Sequence, residues 1–255
     1  MNTLIGDIGN SDIKLCILDY NFKIIKKLHF NKELIHNNLT FNKKINHFFK
    51  NKIISKKSLF SSVVPSTFKI FKKKLYKLHK IKIIELKSIN LNKIIKIEVN
   101  KKQIGSDRIA NAVGASYYYN LNSIVIDLGT ATTFDIIINR FYKGGIIAPG
   151  IKLSLETLVN KAEQIPKFSI KKIKNVIGKN TKSALRSGFF WGYNGLIDNI
   201  VQLIKKENKH KFKIIWTGGY SHLFKNSLKL KVTEDKDITI KGIIKIIKDN
   251  KLWIN

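Results

Sequence analysis

The sequence predicts an α/β protein built from two similar halves, and three observations carry this reading. The segment Asp7-Ile8-Gly9-Asn10-Ser11 stands between apolar Leu4-Ile5 and the alternating run Ile13-Leu15-Ile17. The segment Ile124-Val125-Ile126-Asp127-Leu128-Gly129-Thr130-Ala131-Thr132-Thr133 repeats that order: apolar strand, aspartate, apolar residue, glycine, small polar residue, then a second β-rich run. The two aspartates are 120 residues apart in a chain of 255, close to half its length, as an internal duplication requires. The halves are expected at 1–118 and 119–255, dividing near 115–121, with no Pro/Ser-rich linker between them.

Each half has the same run of elements. Residues 2–8, 12–19 and 22–30 read as strands joined by tight turns, with Asp19-Tyr20-Asn21 as a hairpin signal. Residues 58–64 read as a buried strand, and Pro65 opens a helix to about Leu78, because proline suits the first helical turn. The second half gives strands at 123–128, 132–138 and 141–147, a Pro149-Gly150 break, and a helix from about 151 to 162. A long helix from about 181 to 206 follows, then a strand at Ile214-Ile215-Trp216 and a turn at Thr217-Gly218-Gly219 leading into a short helix.

Composition excludes several classes. A single cysteine, Cys16, rules out a disulfide framework and a cysteine-based zinc site, and on its strand it is expected to be a small buried residue. The most apolar run, Ser123 to Ile138, is interrupted by Asp127 and Asp135, so no membrane span is expected. The start Met1-Asn2-Thr3-Leu4-Ile5-Gly6-Asp7 lacks the pattern of a signal peptide, and a cytoplasmic location is expected. The formal charge of +31 points on its face to nucleic acid. However, 45 of the 48 basic residues are lysine, scattered along a chain also rich in Ile and Asn. Compositional drift toward A/T-rich codons gives this profile, whereas a dedicated nucleic-acid binder uses arginine for bidentate contacts, so no specific nucleic-acid partner is expected.

With only 17 acidic residues, the carboxylates in glycine-bearing segments carry information. Glycine lets backbone N–H groups approach a phosphate, a neighbouring hydroxyl or amide adds donors, and a carboxylate holds a metal ion or its water shell. One such turn is also an ordinary hairpin device; two related turns in a duplicated chain point to phosphate chemistry. Lys14, seven residues after Asp7 on the following strand, could reach such a phosphate.

The segment Asp7 to Lys14 resembles the first phosphate loop of the superfamily of acetate and sugar kinases, heat-shock ATPases and actin. Asp127-Leu128-Gly129-Thr130 resembles its second phosphate loop, and Thr217-Gly218-Gly219 its adenosine-side turn. Within that superfamily, Gly105-Ser106-Asp107-Arg108, Gly144 to Gly150, Gly178-Lys179-Asn180-Thr181 and Ser187 to Tyr193 are similar to segments of the type III pantothenate kinase family. The resemblance runs in the family's order from residue 5 to about 220. It implies a duplicated ribonuclease-H-like (actin-like ATPase) fold with an active-site cleft between the domains, and a homodimer. It also implies phosphorylation of pantothenate by ATP, with Mg²⁺ and a monovalent cation, K⁺ or NH₄⁺. A non-catalytic regulatory relative, or a kinase of another small hydroxylated substrate, are the alternatives.

Carried onto this sequence, the resemblance makes Asp107 the general base and Gly105, Ser106, Asp107, Arg108 and Thr181 the substrate-binding residues. Asp7, Ile8, Gly9, Asn10, Ser11, Asp12, Ile13, Lys14 and Thr130 would bind ATP, Asp7 would organise Mg²⁺ through water, and Asp127 would bind the monovalent cation. Structural readings stand beside these: Asp107 as a helix first-turn acid, Arg108 in an ion pair, Thr181 as a helix N-cap, Asp127 as a turn former. Glu98 and Lys101 stand where the family commonly has tyrosine and proline before the Gly-x-Asp-Arg segment.

Overall fold

A computed structural model describes residues 1–119, 122–225 and 227–250. The described residues form two compact units. The first comprises Met1–Tyr118, Arg140–Tyr142 and the stretch from Asp237 onward; the second comprises Tyr119–Asn139 and Lys143–Lys236. Residues 120–121, at the expected junction between the halves, lie outside the described residues.

In the first unit, strands β1 (Thr3–Ile8), β2 (Asp12–Leu18) and β3 (Ile24–Asn31) form an antiparallel meander. Helix α1 (Asn38–Phe49) follows, then strand β4 (Lys57–Ser62), helix α2 (Pro65–His79) and strand β5 (Lys82–Glu85). β4 pairs parallel to β1, and β5 parallel to β4, giving the sheet order β3-β2-β1-β4-β5. The edge strand β3 alternates half-buried and exposed residues, while β1 beside two neighbours is almost continuously buried, as a central strand must be. Pro65 occupies the first turn of α2 as its fixed φ predicts. Phe41 meets Phe30 and Phe71 edge to face, and Phe60 tilts against Phe71, through the core of this unit. Cys16 is buried, and burial pushes its thiol up to about 12.

The short strand β6 (Lys96–Ile97) and helix α3 (Ser106–Tyr118) complete the first half of the sequence. Strands β7 (Ser123–Leu128), β8 (Ala131–Ile138) and β9 (Phe141–Pro149) then repeat the meander, the first two residues of β9 pairing with β6. Helices α4 (Ile151–Lys161) and α5 (Thr181–Asn208) lead to strand β10 (Lys213–Thr217), parallel to β7, and β11 (Val232–Glu234), parallel to β10. The second unit's sheet is thus ordered β9-β8-β7-β10-β11. Counted from its own first strand, each sheet reads third, second, first, fourth, fifth, with the same pairing directions, so the duplicated α/β fold expected from the two Asp-x-Gly segments is present. The second unit's core gathers Ile126, Phe134, Phe190, Trp216 and Phe224 between the sheet and α5.

Helix α6 (Ile238–Asp249) packs on α3 inside the first unit. A Cβ on Gly242 would collide with the carbonyl oxygen of Ala110, and a Cβ on Gly114 would stand 2.5 Å from that of Ile238. Thr239 Oγ1 donates to Asn111 Oδ1 at 2.7 Å within the same crossing, where both residues are buried. The backbones meet because each helix presents a glycine four residues after the position its partner's glycine touches.

Candidate active site

The β1–β2 turn of the first unit closes with the Gly9 N–H donating to the Asp12 carbonyl at 2.9 Å, and β1 and β2 are paired up to Ile8 and Ile13. Asn10 is left exposed and Gly9 and Ser11 half-buried, with their backbone groups at the tip. Asp7 stands directly opposite Lys14 on β2 and beside Ser61 on β4. Opposed residues of an antiparallel pair share a sheet face, so a carboxylate and an ammonium lie side by side just below the glycine turn. Asp12, Ile8 and Ile13 complete the hairpin; both isoleucines are buried in the core, and Asp12 faces His29 at 3.5 Å.

The Gly105–Arg108 segment arrives at the end of the neighbouring strand. Ser106, the first residue of α3, is fully buried, and its hydroxyl donates to the Ser62 carbonyl and accepts from the Ser62 N–H, both at 2.7 Å. Ser61, Asp7's neighbour, donates to the same hydroxyl at 3.3 Å. One side chain therefore fixes the helix start to the strand that flanks Asp7. Asp107 follows in the first turn and folds back over it: its Oδ1 accepts from the Arg108 N–H at 2.7 Å, and a Cβ on Gly105 would overlap that oxygen. Burial pushes the Asp107 carboxyl above its ordinary value, against the pull of the Arg108 N–H and guanidinium and of the Lys87 ammonium. The helix first-turn role of Asp107 leaves its carboxylate available for chemistry.

Behind this segment lie Glu85 and Lys87, which the sequence reading did not single out, beside Glu98 and Lys101, which it did. Glu85 ends β5, and its Oε2 accepts from the Lys87 N–H at 2.7 Å. Burial raises the Glu85 carboxyl, opposed by the Lys87 N–H, the Ser106 hydroxyl and the charges of Lys87 and Lys101. Lys87 Nζ donates to the carbonyls of Ile104 at 2.8 Å and Lys102 at 3.1 Å, immediately before Gly105. Lys101 Nζ donates to the Ile89 carbonyl at 3.3 Å, and the Glu98 N–H to the Tyr142 carbonyl at 3.1 Å. A carboxylate ending an apolar strand in a chain with few acids was the available signal for Glu85; Lys87 was hidden among 45 of its kind.

In the second unit, Asp127 on β7 is flanked by Thr133 on β8 and Thr217 on β10. The equivalent of the Asp7–Ser61 pair is thus Asp127–Thr217, again an aspartate beside a hydroxyl on the fourth strand. The Thr133 hydroxyl is buried and makes no hydrogen bond among the described residues. The turn closes with the Gly129 N–H donating to the Ala131 carbonyl at 3.1 Å, leaving Thr130 exposed at its tip. Two glycines hold this turn. A Cβ on Gly150 would overlap the Thr130 carbonyl, and Gly218, at φ +93°, lies so close to Leu128 that a Cβ would stand 2.5 Å from its carbonyl carbon.

Thr181 is the first residue of α5 but is not its cap. Asn180 is: its side chain accepts from the Ser183 N–H at 2.9 Å while Ser183 Oγ accepts from the Asn180 N–H at 3.1 Å. Thr181 is exposed on an apolar groove of about 870 Å³ between α4 and α5, lined also by Leu158, Leu185, Gly188, Gly192 and Leu196. A Cβ on Gly188, Gly192 or Gly195 would meet nothing within 4 Å, and Ile147 and Ile177 are exposed by 65% and 85%.

Comparison with known proteins bears on both units. The sequence model of the type III pantothenate kinases matches residues 3–203. A type III pantothenate kinase of Pelagibacter ubique is 57% identical over 247 residues, 95% of this chain and 97% of the relative. Among solved structures, a conserved protein from Campylobacter jejuni named for the Baf family of transcriptional activators superposes with a TM-score of 0.58 at 23% identity, covering 97% of this chain and 98% of that one. The activator of 2-hydroxyisocaproyl-CoA dehydratase from Clostridium difficile, solved with bound ADPNP, gives 0.54 at 11% identity, covering 98% and 96%. These two structural likenesses concern the fold alone.

Proposed function

The chain belongs to the type III pantothenate kinase family, and from that premise we infer that it transfers the γ-phosphoryl group of ATP to pantothenate, in coenzyme A biosynthesis, through the residues described above. Phosphoryl transfer asks little covalent chemistry of a protein; it asks for position, charge and a destination for one proton. Asp107 is that destination. As the primary hydroxyl oxygen of pantothenate bonds to the γ-phosphorus and the bond to ADP breaks, the hydroxyl proton passes to the Asp107 carboxylate. The observation that carries this role is a carboxylate locked at a buried helix start, its proton affinity raised by burial. Arg108 and the backbone of Gly105 and Ser106 border the substrate, since the Ser106 hydroxyl is committed to Ser62. Thr181, free of capping duty, is the further substrate contact.

The tip of the β1–β2 hairpin, with the Asn10 and Ser11 side chains and Lys14 beneath it, receives ATP phosphates, and Thr130 on its glycine-held turn is a further ATP contact. Asp7 beside Ser61 offers oxygen donors suited to a water-shelled Mg²⁺, which neutralises phosphate charge when bound. Asp127 between two threonines, one with a buried hydroxyl that makes no hydrogen bond among the described residues, fits a weakly bound ion of single charge such as K⁺ or NH₄⁺. The α4–α5 groove, with its open glycine positions and exposed isoleucines, supports a homodimer in which a second copy covers it. No helix among the described residues is long and apolar enough to cross a membrane, which accords with a cytoplasmic place for this chemistry.

The test is ATP-dependent phosphorylation of pantothenate with and without K⁺, with Asp107→Asn alongside. Turnover that needs K⁺ and collapses in the variant is the expected result; near-parental turnover in folded Asp107→Asn removes the base assignment.

A further inference from the structure

Gly105 leaves the Asp107 carboxylate room to fold back, but a glycine is also the loosest joint in a chain, and this joint is pinned on both sides. Before it, Lys87 Nζ holds the carbonyls of Lys102 and Ile104. After it, the buried Ser106 hydroxyl holds both backbone groups of Ser62. The two anchors come from different elements, the single 3-10 turn Leu86–Ser88 after β5 and the end of β4, and these two strands are themselves paired. The rigid sheet therefore sets where the segment enters and leaves Gly105. Lys87 has a second effect, because its ammonium is one of the two cationic side chains, with Arg108, whose charge bears on Asp107.

We infer that Lys87 and Ser106 are positioning residues for the general base, fixing the Asp107 carboxylate from either side of Gly105. This rests on the reading of Asp107 as the base. Neither side chain needs to touch pantothenate or ATP; each acts through the backbone that carries Asp107. Displacing a reacting group by about an ångström costs up to about 10²-fold in rate, so loss of either anchor is expected to fall on kcat. Loss of the Lys87 charge also removes one stabiliser of the ionised base. The charged and titratable groups around Asp107 are then Arg108, with Glu85 and Lys101 behind it. The base is therefore protonated at higher pH, and the acid limb of the pH–rate profile moves up.

The experiment compares parent, Lys87→Met, Lys87→Arg, Ser106→Ala and Asp107→Asn as full-length chains, reading kcat, KM for each substrate, the pH profile of kcat/KM, and thermal unfolding. Lys87→Met and Ser106→Ala are expected to lower kcat by about 10- to 100-fold with KM for ATP little changed. Lys87→Met also moves the acid limb upward, and Lys87→Arg, which keeps both donors and charge, restores most of kcat and the limb. A folded Lys87→Met with parental kcat and an unmoved limb overturns the inference, as does a rate loss that follows unfolding with the limb in place. If Ser106→Ala fails to fold, the Lys87 pair still decides. Activity retained in Asp107→Asn would instead strike the base assignment, which separates the two failures.

Discussion

Gly150 and Thr130 meet backbone to backbone: a Cβ on residue 150 would occupy the place of the Thr130 carbonyl oxygen. The β7–β8 turn of the second unit therefore takes its shape partly from the first residue after β9. Gly150→Ala is expected to push that turn outward, raising KM for ATP about tenfold or more while KM for pantothenate moves less. Initial-rate kinetics with each substrate varied in turn will show whether the effect is confined to the nucleotide.

Asp107→Asn should lower kcat by about 10²–10⁴-fold, the usual contribution of a positioned base. Its effect on stability has the opposite sign. The folded carboxyl titrates above its ordinary value because of burial, so the native state binds the proton more tightly than the unfolded chain. Stability from this group is full below the unfolded pKa and is lost as pH rises through the folded one. At neutral pH the buried charge is a cost, and Asp107→Asn should melt at or above the parental temperature. The parent's kcat/KM should fall on the acid side at a pH above that of an ordinary aspartate. Calorimetry and a pH–rate profile check both.

The Thr133 hydroxyl separates cation binding from mere packing. If it faces a K⁺ ion shared with Asp127, Thr133→Val should raise the K⁺ concentration for half activation roughly five- to tenfold, and Thr133→Ser should not. Because the hydroxyl is buried without a hydrogen bond, valine should hold or improve thermal stability. Titration of activity with KCl, beside melting curves, reads the two effects independently.

At the α3–α6 crossing the expected loss is purely structural. Gly242→Ala forces the helices apart at Ala110, at a cost of about 1–3 kcal/mol. Denaturant unfolding should show the lower midpoint, with substrate KM values unchanged in the fraction that remains folded.

Closing the open groove on α5 should abolish dimerisation. Gly188→Arg places a long charged side chain where a Cβ meets nothing in the isolated chain. Light scattering is expected to show a monomer in place of the parental dimer, and a persistent dimer would locate the interface elsewhere.

Strands β1, β2, β7 and β8 were legible because their apolar runs flank the two Asp-x-Gly turns, and Pro65 announced α2, whereas β5, β6, β11 and α1 were not read. Helix α6 was not read either. Its isoleucines are buried at Ile238, Ile240, Ile243, Ile244, Ile246 and Ile247, while Lys241, Lys245 and Lys248 recur at helical spacing, so an amphipathic pattern was there to be read. What no local pattern encodes is its partner, α3. The same limit governs the site. Asp7, Asp107 and Asp127 stand out because acids are rare here, and the turn glycines follow from backbone geometry. The clamp of Ser106 on Ser62 joins residues 44 apart and depends on how β4 lies beside β1. Lys87 is one lysine in 45, and only its two carbonyl partners distinguish it. Thr181 had two readings of equal standing until Asn180 took the capping bonds.

The crossing of α3 and α6 bears on the origin of the chain. Gly242 meets Ala110 and Gly114 meets Ile238, each glycine lying four residues beyond the residue that the other glycine touches, so the two contacts interchange when the helices are exchanged; Asn111 bonds Thr239 on the same correspondence. Reciprocal contact of this kind is the mark of an isologous interface, in which one surface meets a copy of itself. A single half-length ancestor pairing through one such helix would have made this contact twice over by symmetry. Fusion of two such copies would make the association permanent and independent of concentration. It would also release the halves from identity, so that one could keep Asp107 and its anchors while the other kept Asp127 and its threonines, a division of labour closed to a protein that must be the same on both sides.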